Sequence, residues 1–131
     1  MAVSFLCKSQ VYLNFDSDSI STENKIYTPK EVDTKPEFPG GDDAIFRTVT
    51  PSMRYPVDAR RNGISGTVII GVVVEKDGSV THHAILQRAW PSLDQEALRV
   101  SLLIPNGWIP ATLNGHPVRC RYQLPLRFVL Q

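Results

Sequence analysis

Few side chains in this sequence can do chemistry, and their spacing argues against an active centre. The three histidines, His82, His83 and His116, are the candidate metal ligands and general bases. His82 and His83 are adjacent in a segment that reads as a strand, so they leave opposite faces of the pleat and do not jointly chelate one ion in regular geometry. His116 sits in the turn Asn114-Gly115-His116-Pro117. Ser92 stands at a helix start, where its hydroxyl caps the amide of Gln95, and no Gly-x-Ser-x-Gly nucleophile turn exists. Gly40-Gly41 precede a helix as a phosphate loop would, but Asp42 and Asp43 repel an anion and no lysine follows at the required spacing. Cys7 and Cys120 form no metal or redox motif, and Cys120 reads as a buried small hydrophobe. No catalytic residue, cofactor or metal is expected, so the chain reads as non-enzymatic. What remains is charge on a strand. Arg119, Arg121 and Arg127 alternate with apolar residues near the carboxy terminus. Either they keep an exposed sheet edge from aggregating, or they meet polar side chains of a partner strand added to that edge.

The elements that must position these residues belong to one domain. The chain has 131 residues, 42% of them apolar and 21% charged, ordinary values for a soluble core. A formal net charge of +1 creates no field for capturing nucleic acid or anionic lipid. Trp90 and Trp108 flank a helix without a basic stripe around them, so a nucleic-acid platform is not expected. The longest apolar run, residues 68–74, falls far short of the roughly 20 residues of a membrane helix. Residues 2–7 lack a basic start and are shorter than an export signal, and read as a tail or a remnant leader. Residues 14–37 are polar and aperiodic, so residues 1–35 are expected to be a tail or linker and residues 36–131 the folded domain.

Within the domain, Phe38-Pro39-Gly40-Gly41 stops the tail, and Asp42 and Asp43 open a short helix that Pro51 ends. A second, two-turn helix starts with Pro56 at its first position and is capped by Gly63. Residues 67–75 are β-branched and lead into Asp77-Gly78, a tight hairpin turn that sets Val74 opposite Thr81, Val72 opposite His83 and Ile70 opposite Ile85. Val68, Ile70, Val72 and Val74 then share the face that helices cover. Leu93, Ala97, Val100 and Ile104 recur at helical spacing. The last strand alternates Val118, Cys120, Tyr122, Leu124, Leu126 and Phe128 with Arg119, Arg121, Gln123, Pro125 and Arg127. Pro125 has no N–H for a ladder, which favours a sheet edge. The expected fold is α+β: a three-stranded antiparallel sheet of order 2-1-3, the first strand central, with helices packed on one face.

These residues also carry a family resemblance. Pro36-Glu37-Phe38-Pro39-Gly40-Gly41, Tyr55-Pro56-x-x-Ala59 with Gly63 and Gly66, Val74-Glu75-Lys76-Asp77-Gly78, Leu93-Asp94-x-Glu96-Ala97-Leu98-Arg99, Trp108-x-Pro110, Gly115-x-Pro117-Val118 and Leu124-Pro125-x-x-Phe128 together resemble the carboxy-terminal domain of TonB energy transducers, in the form common in Bacteroidetes. The resemblance covers residues 36–131. It implies a periplasmic domain whose last strand pairs with the Ton box, a short extended segment of an outer-membrane transporter, in support of energised uptake. It also implies that anchoring to the inner membrane requires sequence upstream of this chain, which contains no membrane helix. The expected partner-binding residues are Tyr55, Pro56, Val118, Arg119, Arg121, Gln123, Pro125 and Arg127. The alternative is a self-associating or scaffold module without transport coupling, in which the same edge pairs with a second copy as a homodimer or is covered by residues 1–35.

Overall fold

The computed structural model describes residues 24–130. The leader segment, Cys7 and the tail through residue 23 lie outside them. The order of elements is β1 (Ile26–Tyr27), α1 (Asp42–Val49), a 3-10 turn (Thr50–Ser52), α2 (Val57–Arg61), β2 (Gly66–Val74), β3 (Val80–Gln87), α3 (Pro91–Ser101), β4 (Ala111–Leu113) and β5 (His116–Phe128). The fold is α+β, as the periodicities require. Val68, Ile70, Val72 and Val74 of β2 are buried on one face with Leu124, Leu126 and Phe128 of β5. Ile45 and Val49 of α1, Ala59 of α2 and Leu93, Ala97 and Val100 of α3 pack against them in the same core. Each large aliphatic side chain buried here contributes about 1.5–3 kcal/mol before chain entropy is subtracted.

The expected central trio is present, with β2 between β3 and β5, but the sheet is larger and mixed. Its order is β1-β5-β2-β3, with β4 paired to the start of β5. The three-stranded antiparallel sheet is therefore corrected to five strands, of which β1 runs parallel to β5, Ile26 beside Arg119 and Tyr27 beside Cys120. β4 and β5 form a hairpin across Asn114 (φ 54°) and Gly115 (φ 81°), with Leu113 opposite His116. That Asn-Gly pair suits a two-residue turn because both positions take positive φ. The chain ahead of residue 36 also joins the fold: the Asp33 N–H donates to the Thr112 carbonyl at 2.9 Å, and Glu37 and Ile109 exchange bonds of 2.9 and 2.8 Å.

The β2–β3 register differs from the expectation near its turn. Val74 pairs with Val80 and Val73 with Thr81, while Ile70 pairs with Ile85 as expected. The loop is longer than two residues, closed by the Glu75 N–H on the Ser79 carbonyl at 2.8 Å. A bulge with His82 at φ 56° restores the alignment further along, because an extra residue on one strand offsets the slip. The expected caps also differ. Neither α1 nor α3 has a side-chain cap at its start: Asp42 instead accepts a hydrogen bond from the Tyr122 hydroxyl, and Ser92 closes no capping box. Asp94 takes over at α3, where Oδ1 accepts the Ala89 N–H at 2.8 Å. Pro56 is the residue before α2 rather than its first.

Phe38 meets Trp108 edge to face at 5.4 Å, and Trp108 meets Tyr122 at 4.9 Å, so the Pro-Gly motif before α1 is stapled to the sheet by aromatic contacts. Trp108 is held in turn by the hairpin loop, its N–H donating to the Gly78 carbonyl at 3.0 Å. Gly78 is at φ 86°, and a Cβ there would lie 2.4 Å from the Trp108 carbonyl oxygen. Gly107 has a similar φ of 99° but open space around it. Gly78→Ala is expected to lower stability by about 2–4 kcal/mol and Gly107→Ala by about 1 kcal/mol, measured as urea unfolding free energies. Equal losses would mean that the contact with Trp108 contributes nothing.

Candidate functional site

Backbone chemistry, rather than side-chain chemistry, marks the candidate site. β5 is paired with β2 over residues 120–128, from Cys120 opposite Val74 to Phe128 opposite Gly66. On its other flank, among the described residues, β1 covers only Arg119 and Cys120. Residues 121–128 therefore carry one ladder and one open edge. The expectation that the entire last strand is an edge is corrected accordingly: at Arg119 and Cys120 the chain supplies a second neighbour from its own amino-terminal side. Pro125 sits opposite Ile69, and lacking an N–H it fits the ladder where its backbone turns away from β2. Alternation then turns the N–H and C=O groups of Gln123 and Arg127 outward as well.

Two grooves border this edge. The first has a volume of about 660 Å³ and is lined by Phe46, Met53 and Tyr55 from the helical layer and by residues 125–129 of the strand end, with Arg54 and Arg127 among its polar groups. The second, about 750 Å³, lies between Arg121, Tyr122 and Gln123 and the segment carrying Thr28, Lys30 and Lys35. Of the expected partner-binding residues, Tyr55, Pro125 and Arg127 thus meet in one groove, and Arg121 and Gln123 line the other. Val118 pairs with Ala111 inside the β4–β5 hairpin, and Pro56 lines neither groove.

Arg119 is committed within the molecule. Its Nε donates to Glu75 Oε1 at 2.7 Å and its Nη1 to the Asn24 carbonyl at 2.7 Å. Burial works to raise the Glu75 pKa, but hydrogen bonds from Arg119 and from Thr81 (2.5 Å) outweigh it and hold the carboxyl below its ordinary value. Glu75 is thus a charged bracket between the hairpin loop and the start of β5.

The wall of the first groove is set by residues that the strand pattern gives no reason to single out. Glu96 Oε2 accepts the Arg54 N–H at 2.7 Å, and Arg99 Nη2 donates to the Ser52 carbonyl at 2.6 Å while bonding Glu96. Those bonds from α3 fix the segment that delivers Tyr55. The Tyr55 hydroxyl donates to the Ile64 carbonyl, and its ring meets Phe128 edge to face at 5.9 Å. Tyr55 therefore joins α2, β2 and the end of β5. The sequence signal for this clasp is the Glu96–Arg99 spacing on one helix face.

The histidines stay apart. His82 is exposed on the bulge; His83 Nδ1 lies 3.2 Å from Ser101 Oγ, and burial lowers its pKa; His116 is exposed at the start of β5. Among the described residues no group of three His, Cys, Asp or Glu side chains can hold a metal, and no helix is long and apolar enough to cross a membrane. Cys120 is buried, and burial pushes its thiol pKa up.

The fold is a small α+β domain whose last strand has an open edge beside an aromatic groove. Residues 51–130 match the family described as Gram-negative bacterial TonB protein C-terminal, and the chain belongs to that family. It is 34% identical over 79 residues to "Protein TonB" of Vibrio cholerae, covering 60% of this chain and 32% of that protein, so it spans about a third of the relative's length. Its fold resembles that of the Helicobacter pylori TonB-CTD: a solution structure of residues 179–285 superimposes with a TM-score of 0.52 at 23% identity, covering 66% of this chain and 78% of the other. A second solution structure, of residues 194–285, gives 0.50 at 22% identity, covering 68% and 92%.

Glu96→Ala removes the acceptor of the Arg54 N–H and the partner of Arg99. It is expected to speed amide hydrogen exchange at Arg54 and Tyr55 by about tenfold while leaving β2 protected; unchanged exchange at both would show that the clasp does not hold the groove wall. Because the folded-state pKa of Glu75 is depressed, its contribution is present above the unfolded carboxylate pKa and fades as pH falls below it toward the folded value. Thermal melts between pH 7 and pH 3 are therefore expected to show a flatter acid decline for Glu75→Gln than for the parent; identical slopes would remove Glu75 from the acid response.

Proposed function

We propose that this domain docks an extended peptide by adding it as a strand to residues 121–128 of β5. We further propose that the natural peptide is the Ton box of an outer-membrane transporter. The domain then works in the periplasm as the receptor-binding end of a transport-coupling system energised from the inner membrane. The observation that carries this reading is the open edge of β5 directly beside the groove of Phe46, Met53 and Tyr55. Membership in the TonB carboxy-terminal family and the name of the Vibrio cholerae relative support the transport-coupling role.

The physical logic is that of an unfinished sheet. Outward N–H and C=O groups of Gln123 and Arg127, with the carbonyl of Pro125, offer about five backbone hydrogen bonds, each worth a net of about 0.5–1.5 kcal/mol. After the cost of ordering a peptide, that corresponds to binding on the order of micromolar. Alternate side chains of the added strand face the aromatic groove on one side, and Arg121, Gln123 and Arg127 set selectivity along the edge.

Titration of the labelled protein with Ton-box peptides is expected to shift amide resonances in residues 121–128 and around Met53 and Tyr55. Gln123→Pro, which removes one outward N–H, is expected to weaken binding by roughly five- to tenfold with little change in melting temperature. Shifts confined to the outer edge of β3 would overturn the placement. An open edge also suits a second copy of the chain, and a sedimentation mass that rises with concentration and falls on peptide addition would assign the edge to that use as well.

A further inference from the structure

The amino-terminal segment is built onto the same strand that the docking reading uses. β1 occupies the outer flank of β5 at Arg119 and Cys120, immediately ahead of the open stretch. Behind it, the chain is organised locally: the Glu31 N–H donates to the Thr28 carbonyl at 3.0 Å, the Thr28 N–H to Glu31 Oε1 at 2.8 Å, and Lys25 lies over the Tyr27 ring at 4.7 Å and 3.5 Å from Glu31. The chain is then tied to β4, where Asp33 Oδ2 accepts the Asn114 N–H at 2.9 Å and the Thr112 N–H donates to the Thr34 carbonyl at 3.1 Å. Glu37 and Ile109 make the last tie before α1.

These fastenings are unequal. The ties at residues 33–37 lie on β4 and leave the β5 edge untouched. Among the described residues β1 alone covers that edge, with two paired residues, both only half-buried. A two-residue strand gains little by itself, and it holds its place because the tie behind it keeps it close at high effective concentration. We propose that residues 24–37 form a tethered guard strand: β1 closes the Arg119–Cys120 stretch of the β5 edge against an added strand, and its release lengthens the acceptor edge from residues 121–128 to residues 119–128 while the tie on β4 holds. The inference rests on the strand-addition reading for its consequence, but the guard itself is an intramolecular contact.

The geometry explains why a guard is useful at this place. β5 is the longest strand, and an unpaired edge along all of it would invite pairing with other chains. Covering one end shortens the exposed edge and sets the register of whatever is added, because an incoming strand meets the chain at Tyr27 and Thr28. The second groove, between Arg121 and the segment carrying Lys30 and Lys35, lies at this junction. A peptide that reaches beyond Arg121 must therefore displace β1 or stop there.

The test compares three full-length proteins. Ile26→Pro/Tyr27→Pro removes both N–H groups of β1. Tyr27→Cys, in a Cys7→Ser background, places a thiol beside Cys120 and locks β1 in place when oxidised. The third is the parent. Hydrogen exchange of the Arg119 and Arg121 amides, which alternation turns toward β1, needs no peptide. It is expected to be at least tenfold faster in the proline variant and slower in the locked one, with the amides of β2 unchanged. With a ten-residue probe peptide of alternating threonine and valine, the proline variant is expected to bind roughly three- to tenfold tighter than the parent, with its footprint extended to Arg119. The locked form should bind no tighter than the parent and lose that restriction on reduction. Equal exchange at Arg119 and Arg121 in all three proteins would overturn the guard, as would binding indifferent to the lock. If no form binds any peptide, the docking reading falls, whereas the exchange comparison still decides whether β1 protects the edge.

Discussion

A strand has two edges, and every backbone donor and acceptor along both must find a partner or face water. That constraint governs this domain through β5. β2 satisfies one edge of β5 over nine consecutive residues, and the short β1 satisfies only the start of the other. Pro125 lies within the uncovered run, where its missing N–H removes one donor from the exposed edge without costing the internal ladder anything. The remaining outward groups face water, and the proposed strand addition depends on them.

The rest of the molecule holds that edge straight and shapes its flank. β2 is buried along most of its length, with Val68, Ile70, Val72 and Val74 under the helices, Gly71 beside the Leu86 side chain and Val73 buried on the other face. A central strand laddered on both edges gives β5 a rigid neighbour. α3 covers the sheet and, through Glu96 and Arg99, holds the segment that brings Tyr55 against Phe128. Phe38, Trp108 and Tyr122 perform the matching task at the other end of β5. Both ends of the open stretch are therefore fastened by aromatic packing, which costs little side-chain entropy per unit of buried area. In the proposed docking, a preordered edge would spend less binding free energy on ordering itself.

Much of this was legible along the chain. The valine-rich β2, the Asp-Gly loop, the amphipathic α3 and the alternation of β5 each announce themselves through local period and turn chemistry, and Pro125 marks its strand as peripheral. The site was legible only in part. Pro125, Arg127, Arg121 and Gln123 follow from the alternation, and Tyr55 from the motif resemblance, but Arg119, expected among the partner-binding residues, is held by Glu75 and the Asn24 carbonyl. β1 left no period to read, since two half-buried residues in a polar stretch look like any tail. The slip between β2 and β3 was likewise hidden, because the bulge at His82 compensates for it and leaves Ile70 and Ile85 opposite one another.

By itself, then, the amino-acid sequence determined which segments become strands and helices and which faces they bury, because those depend on side-chain spacing within a few residues. The tertiary structure alone decided how much of β5 stays open. That depends on where a distant and weakly marked segment comes to rest, and on ladders whose partners, Ile26 and Arg119 or Thr34 and Thr112, stand far apart in the chain. Local pattern carries no information about such pairings: backbone hydrogen bonds are the same for every residue except proline, and only the folded core determines which of them are left without a neighbour.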